Sequence, residues 1–114
     1  GETSRDFCYI DNTVQMNLLA ATTDNEEATN QVYNVALNDR TSLTKLHQMI
    51  EERLIERVEG LEKKKPIYRE FRSGDVRHSQ ASIDKAQKLL DYQPKYRISE
   101  GMADAIDWYV NSIK

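Results

Sequence analysis

Between Ser42 and Glu59 apolar residues return every three or four positions, at Leu43, Leu46, Ile50, Leu54 and Val58, with Glu51, Glu52, Arg53 and Glu56 between them. That period predicts one long helix over residues 42–59 that buries a stripe and leaves its acidic side to water. His47 borders the stripe and reads as a packed or half-exposed side chain. The helix splits the chain, and apolar runs lie on either side of it. Residues 31–37, with Val32, Tyr33, Val35 and Ala36, read as a strand buried on both faces, and residues 65–71 read as a second. If parallel, the two strands and the helix make a β-α-β unit with a right-handed crossover.

The flanks extend this pattern. Residues 5–10 read as a strand rich in aromatic and branched side chains, followed by a helix to about Thr22 for which Asp11 or Asn12 offers the N-cap. Asn12 and Gln15 also have capping-box spacing. Two more helices are predicted at residues 82–90 and 99–113, separated by Gln93 and Pro94. In the last, Met102, Ala105, Ile106, Tyr109 and Ile113 form the inward face and Trp108 covers its edge. The expectation is α/β: a small mixed sheet with flanking helices, in one domain of 114 residues.

Charge narrows the partners. A net charge of -3 and a pI near 5.4 argue against nucleic acid, which selects a basic footprint. No apolar run is long enough to span a membrane. A single cysteine, Cys8, excludes an internal disulfide and points weakly to a reducing compartment. Set between Phe7 and Tyr9, it reads as a small buried hydrophobe. His47 and His78 are too isolated for a metal site, so no metal is expected. Lys63, Lys64 and Lys65, beside Gly60 and Pro66, read as a solvated loop.

Chemistry concentrates in two blocks. Arg72-Ser73-Gly74-Asp75-Val76-Arg77-His78-Ser79 gathers two arginines and an acid around one glycine. A guanidinium can bond two phosphate oxygens in parallel, whereas a lysine offers a point charge. By itself the block also suits an ordinary surface turn. Ser4-Arg5-Asp6-Phe7-Cys8-Tyr9-Ile10-Asp11-Asn12, far away in sequence, supplies another arginine before an apolar run. Arg5, Arg72 and Arg77 could focus positive charge on an anion if the fold gathers them.

In this order, with the Tyr33-Asn34-Val35-Ala36 segment and the long helix between them, these blocks resemble the C-terminal part of the extended short-chain dehydrogenase/reductase (NAD-dependent epimerase/dehydratase) family. The resemblance covers essentially the whole chain and is strongest to bacterial UDP-N-acetylglucosamine 4-epimerases of polysaccharide pathways. It implies that Arg5 and Arg72 grip the diphosphate of a UDP-sugar and that Asp75 accepts bonds from ribose hydroxyls. It implies further that Ser79, seven residues after Arg72, lines the sugar pocket. A bulky tyrosine there excludes N-acetylated hexoses in some members, so serine makes UDP-GlcNAc and UDP-GalNAc permissible.

In such an enzyme NAD takes hydride from C4 of the sugar, a tyrosine takes the hydroxyl proton, and hydride returns to the other face. The sequence lacks that machinery. Its glycines, Gly1, Gly60, Gly74 and Gly101, are too scattered for a dinucleotide-binding turn. Tyr9, Tyr33, Tyr68 and Tyr92 are followed at the fourth position by Thr13, Leu37, Arg72 and Tyr96, never by the lysine of a Tyr-x-x-x-Lys pair.

The resemblance therefore implies a substrate-binding C-terminal piece over residues 1–114, with the Rossmann cofactor domain absent. NAD belongs to the parent enzyme and none to this piece, which is expected to be inactive alone. The parent is expected to be a cytoplasmic homodimer formed through the absent domain. Other readings stay open: the same portion of another nucleotide-sugar epimerase or dehydratase, a stand-alone non-catalytic anion or nucleotide-sugar binding module, or a structural domain without ligand.

Overall fold

In the computed structural model, which describes residues 1–113, the long helix starts where Ser42 caps it. The Ser42 Oγ accepts the Lys45 N–H at 3.1 Å, which satisfies one of the donors that a helix start leaves open. The helix, α2, runs over Leu43–Arg57. It packs on α4, Ile98–Ser112. Arg57 ion-pairs with Asp107, and Arg53 Nη2 donates to the Ser99 carbonyl and Oγ at 3.0 and 2.7 Å. Gly101 lies in α4 directly under Tyr9, where a Cβ would collide with the Tyr9 side chain.

The remaining elements are β1, Ser4–Arg5; α1, Ile10–Thr22; a 3-10 turn, Glu26–Ala28; β2, Thr41–Ser42; and α3, Asp84–Leu90. β1 and β2 pair antiparallel through Ser4↔Ser42 and Arg5↔Thr41. A parallel bridge joins Ser4 to His78. The small mixed sheet with flanking helices expected from the sequence is thus present.

Its strands are not the expected ones. Residues 31–37 and 65–71 form no ladder, so the β-α-β crossover does not occur. A strand is defined by its neighbour, and no described segment pairs backbone to backbone with either run; Val32 and Ile67 are each 86% exposed, although Ala36 and Leu37 are buried. The strand read over residues 5–10 is confined to Ser4–Arg5, because side-chain bonding by Asp6 replaces the ladder. Asp6 Oδ1 accepts the Leu37 N–H at 3.0 Å, and Oδ2 accepts those of Asp39 and Ala81, each at 3.3 Å.

The cap of α1 also differs. The helix begins at Ile10, behind Tyr9, with no side-chain cap. Asn12 is instead fully buried and bonds the backbone of Tyr96 in both directions, its Nδ2 donating to the carbonyl at 2.7 Å and its Oδ1 accepting the N–H at 3.1 Å. Tyr9 and Tyr96 meet edge to face with centroids 5.2 Å apart. Cys8 is half-buried rather than buried. Lys63, Lys64 and Lys65 are all exposed, as a solvated loop requires.

The core joins Met16, Ala28, Ala36, Ile83, Ala86, Leu90 and Tyr92. Asp91 takes a left-handed φ of 53° at the end of α3 and turns Tyr92 inward. Tyr92 is fully buried, and its hydroxyl donates to the Ala36 carbonyl at 2.9 Å. Burial first, then Cys8 and Asp6 nearby, push this hydroxyl from 10.0 up to about 12. The folded state therefore holds the proton more tightly than the unfolded chain, and its contribution is complete below pH 10 and lost as pH rises toward 12. In Tyr92→Phe the Ala36 carbonyl loses its donor, at an expected cost of about 1–3 kcal/mol near neutral pH. Urea unfolding at pH 8 and pH 11 should also show a shallower alkaline decline in the variant.

The molecule is a slab of 54 × 36 × 17 Å with a radius of gyration of 17.2 Å, against about 13 Å for a compact chain of this length. Apolar side chains stay at its surface, among them Ile10, Val14 and Leu18 along α1. The inward face predicted for the last helix is correspondingly only part-buried. Ile106 is covered, but Tyr109 and Ile113 are exposed, and Trp108 is 64% exposed rather than sealing an edge. No described element reaches over the last turn of α4 to bury them.

Candidate functional site

Ser4 joins the two chemical blocks. Its N–H donates to the Arg77 carbonyl at 2.9 Å, and its own carbonyl accepts the Ser79 N–H at 3.1 Å. Its Oγ lies 2.8 Å from His78 Nδ1. These bonds dock residues 77–79 against β1, and Ser4 is buried beneath them. The preceding residues form a tight turn in which the Asp75 N–H donates to the Arg72 carbonyl at 3.2 Å. Gly74 takes φ +80° there, the left-handed conformation that a turn of this kind reserves for glycine.

The turn brings Asp75 to Arg5. Arg5 Nη2 donates to Asp75 Oδ1 at 2.8 Å, while Nη1 donates to the carbonyls of Ser4 and Arg77 at 2.8 and 3.4 Å. Asp75 Oδ1 also accepts the Val76 N–H at 2.9 Å. Its Oδ2 takes no protein bond among the described residues. Both partners are about a third exposed, so water screens the pair and it contributes modestly to stability. Its geometric effect is larger, since it holds an acceptor oxygen at a fixed place.

Beside the pair opens a cleft of about 370 Å³, walled by Arg72, Asp75, Arg77, His78 and Phe71. Arg69, Glu2 and Glu70 also reach it. Of the residues that sequence reading selected, Arg72, Asp75 and Arg77 line this wall. Arg5 stands behind Asp75 and touches the cleft only through it. Ser79 is exposed, fixed to β1 by its N–H, and is not on the wall. Phe71 was read only as a strand residue; Ser4 and His78 had no selecting signal, because their contact spans 74 residues.

The family model for GDP-mannose 4,6 dehydratase matches residues 1–105. The chain belongs to the GDP-mannose 4,6 dehydratase family. Similar proteins include the UDP-glucuronate 4-epimerase of Thermodesulfobacterium geofontis, 31% identical over all of this chain and 32% of that protein. Among solved structures, UDP-glucose 4-epimerase from Thermotoga maritima with UDP-glucose superposes with a TM-score of 0.84 at 29% identity, covering 100% of this chain and 34% of its own. The UDP-N-acetylglucosamine 4-epimerase from Methanobrevibacter ruminantium, in complex with UDP-N-acetylmuramic acid, gives 0.78 at 27% identity, covering 98% of this chain and 33% of its own. The chain thus spans about a third of the length of these relatives.

Related structures hold NAD, and the described residues of this chain offer no pyrophosphate cradle for it. A pyrophosphate cradle needs glycines clustered at a strand-to-helix turn. Gly60 and Gly74 instead sit in separate exposed loops, and Gly101 is inside α4 against Tyr9. No step of chemistry through NAD can be assigned to these residues.

Proposed function

We propose that the chain is the UDP-sugar-binding portion of an NAD-dependent UDP-N-acetylglucosamine/UDP-N-acetylgalactosamine 4-epimerase. In this reading Arg72 holds the diphosphate from the cleft wall, Arg5 joins it by exchanging its bond to Asp75 for phosphate oxygens, Asp75 accepts bonds from the ribose hydroxyls, and Ser79 leaves room for the N-acetyl group. The observation that carries it is the meeting of Arg5 with Asp75 at 2.8 Å across 70 residues of sequence, beside a cleft that Arg72 also lines. Asp75 Oδ2 is left for a hydroxyl, and an acid aimed at hydroxyls avoids repelling phosphate.

Such a portion contributes positioning and charge neutralisation. Hydride and proton transfer then fall to a Rossmann domain elsewhere in the parent enzyme, which carries NAD and through which the parent forms a cytoplasmic homodimer. The slab shape and the apolar surface of α1 are in keeping with a partner domain over that face. The relatives named for UDP-glucuronate and UDP-glucose favour a second reading, in which the same portion serves a different UDP-sugar.

Calorimetric titration with UDP-GlcNAc, UDP-glucose and uridine separates these. Arg72→Ala is expected to weaken both UDP-sugars roughly tenfold or more, as loss of charge-assisted bonds requires, and to leave uridine unchanged. Ser79→Tyr should weaken UDP-GlcNAc more than UDP-glucose. Equal affinities in the wild type and in an Arg5→Ala, Arg72→Ala double variant would rule out the diphosphate assignment, and a Ser79→Tyr effect equal for both sugars would favour the second reading.

A further inference from the structure

We propose that Arg77 is a further diphosphate-binding residue of the cleft, preset by Phe71; this rests on reading the cleft as a nucleotide-diphosphate site. The Arg77 guanidinium carbon lies 4.5 Å from the centroid of the Phe71 ring, and both residues line the cleft. A guanidinium held over an aromatic face keeps its N–H donors at its rim, free for an anion. The backbone is fixed as well, since the Arg77 carbonyl accepts the Ser4 N–H and Arg5 Nη1. With both ends of the side chain held, less rotamer freedom is lost on binding than for a free arginine.

The contrast with Arg5 sharpens the assignment. Both terminal nitrogens of Arg5 already donate to protein acceptors and its charge faces Asp75. Among the described residues the Arg77 side chain makes neither a hydrogen bond nor an ion pair, although Glu2 and Glu70 share the cleft. Arg72 and Arg77 therefore face the cleft from either side of the Gly74 turn with their donors unspent. Two guanidinium groups so placed suit a diphosphate, which carries about two negative charges and several acceptor oxygens.

The test is an NMR titration of the 114-residue chain with UDP-GlcNAc and, separately, uridine. The Arg77 side-chain N–H resonance is expected to shift with UDP-GlcNAc and not with uridine. Arg77→Gln should weaken UDP-GlcNAc roughly tenfold, Arg77→Lys less, and Phe71→Leu by an intermediate amount, with uridine unaffected throughout. An unmoved Arg77 resonance, or unchanged affinity in Arg77→Gln while Arg72→Ala loses binding, overturns this inference alone and leaves Arg77 a packing residue. No shift at any cleft residue with millimolar UDP-GlcNAc overturns the nucleotide-diphosphate reading together with it. The wild-type resonance decides the matter if the glutamine variant does not fold.

Discussion

Replacing Asp6 with alanine is expected to lower stability by roughly 3–5 kcal/mol, because backbone donors held by a charged acceptor lose it together. Those donors are the N–H groups of Leu37, Asp39 and Ala81, so one carboxylate ties the residue after β1 to two distant segments. A domain of this length has a stability of about 6–17 kcal/mol at the usual value per residue, which makes the loss a large share of the total. Asparagine is no rescue. Its oxygen can serve Leu37, but its NH₂ then faces the N–H groups of Asp39 and Ala81. Urea unfolding measures the loss, and hydrogen exchange locates it: the three amides should open together in Asp6→Ala, while the Lys45 amide capped by Ser42 stays protected. Ala81 lies two residues beyond Ser79, so UDP-GlcNAc affinity should fall with the same substitution. A cost below about 1 kcal/mol, the size of an ordinary surface change, would show that the carboxylate does not hold these segments.

What the sequence revealed and what it hid follow one physical division. The helices were legible because their information is local. The apolar period from Leu43 to Val58 and the repeats in the last two helices each lie within a few turns, and the observed bounds agree to within two residues for all but the entry of α1, although Leu43, Ile50 and Val58 of that stripe stay exposed and Met49 is the buried residue. Strands at residues 31–37 and 65–71 were not, because a short apolar run shows readiness to pair and says nothing of a partner. The chemistry divides similarly. The Arg72-to-Asp75 turn is local, and its glycine announced it. The Arg5–Asp75 pair could be anticipated only through the family's ordering of motifs, whereas the Ser4–His78 contact and the Phe71–Arg77 stack carry no local period. Asp6 and Asn12 show the deepest limit. Both look like turn or cap residues beside a helix start, yet each spends its side chain on backbone groups far along the chain.

Asn12 allows the two interpretations to be separated by one atom. As an N-cap, asparagine is replaceable by aspartate at little cost, and an acid near a helix start gains from the dipole. As the buried partner of Tyr96, it must donate at 2.7 Å to one backbone group and accept at 3.1 Å from the other. A carboxylate can only accept. Asn12→Asp would therefore set a buried charge against the Tyr96 carbonyl, and a loss of about 3–5 kcal/mol at pH 7 is expected. A protonated carboxyl, however, has one donor and one acceptor in nearly the shape of an amide. Burial raises the pKa of the introduced acid in the folded state, so its proton is held more tightly there than in the unfolded chain. The stability deficit relative to wild type should be smallest near pH 4 and grow as pH rises through the raised pKa. Asn12→Leu removes both bonds without adding charge, and its deficit should not change with pH. Parallel urea unfolding at pH 4, 5.5 and 7 reads both variants: a pH-dependent deficit in Asn12→Asp alone identifies the buried amide, whereas a near-neutral Asn12→Asp at all three would restore the helix cap.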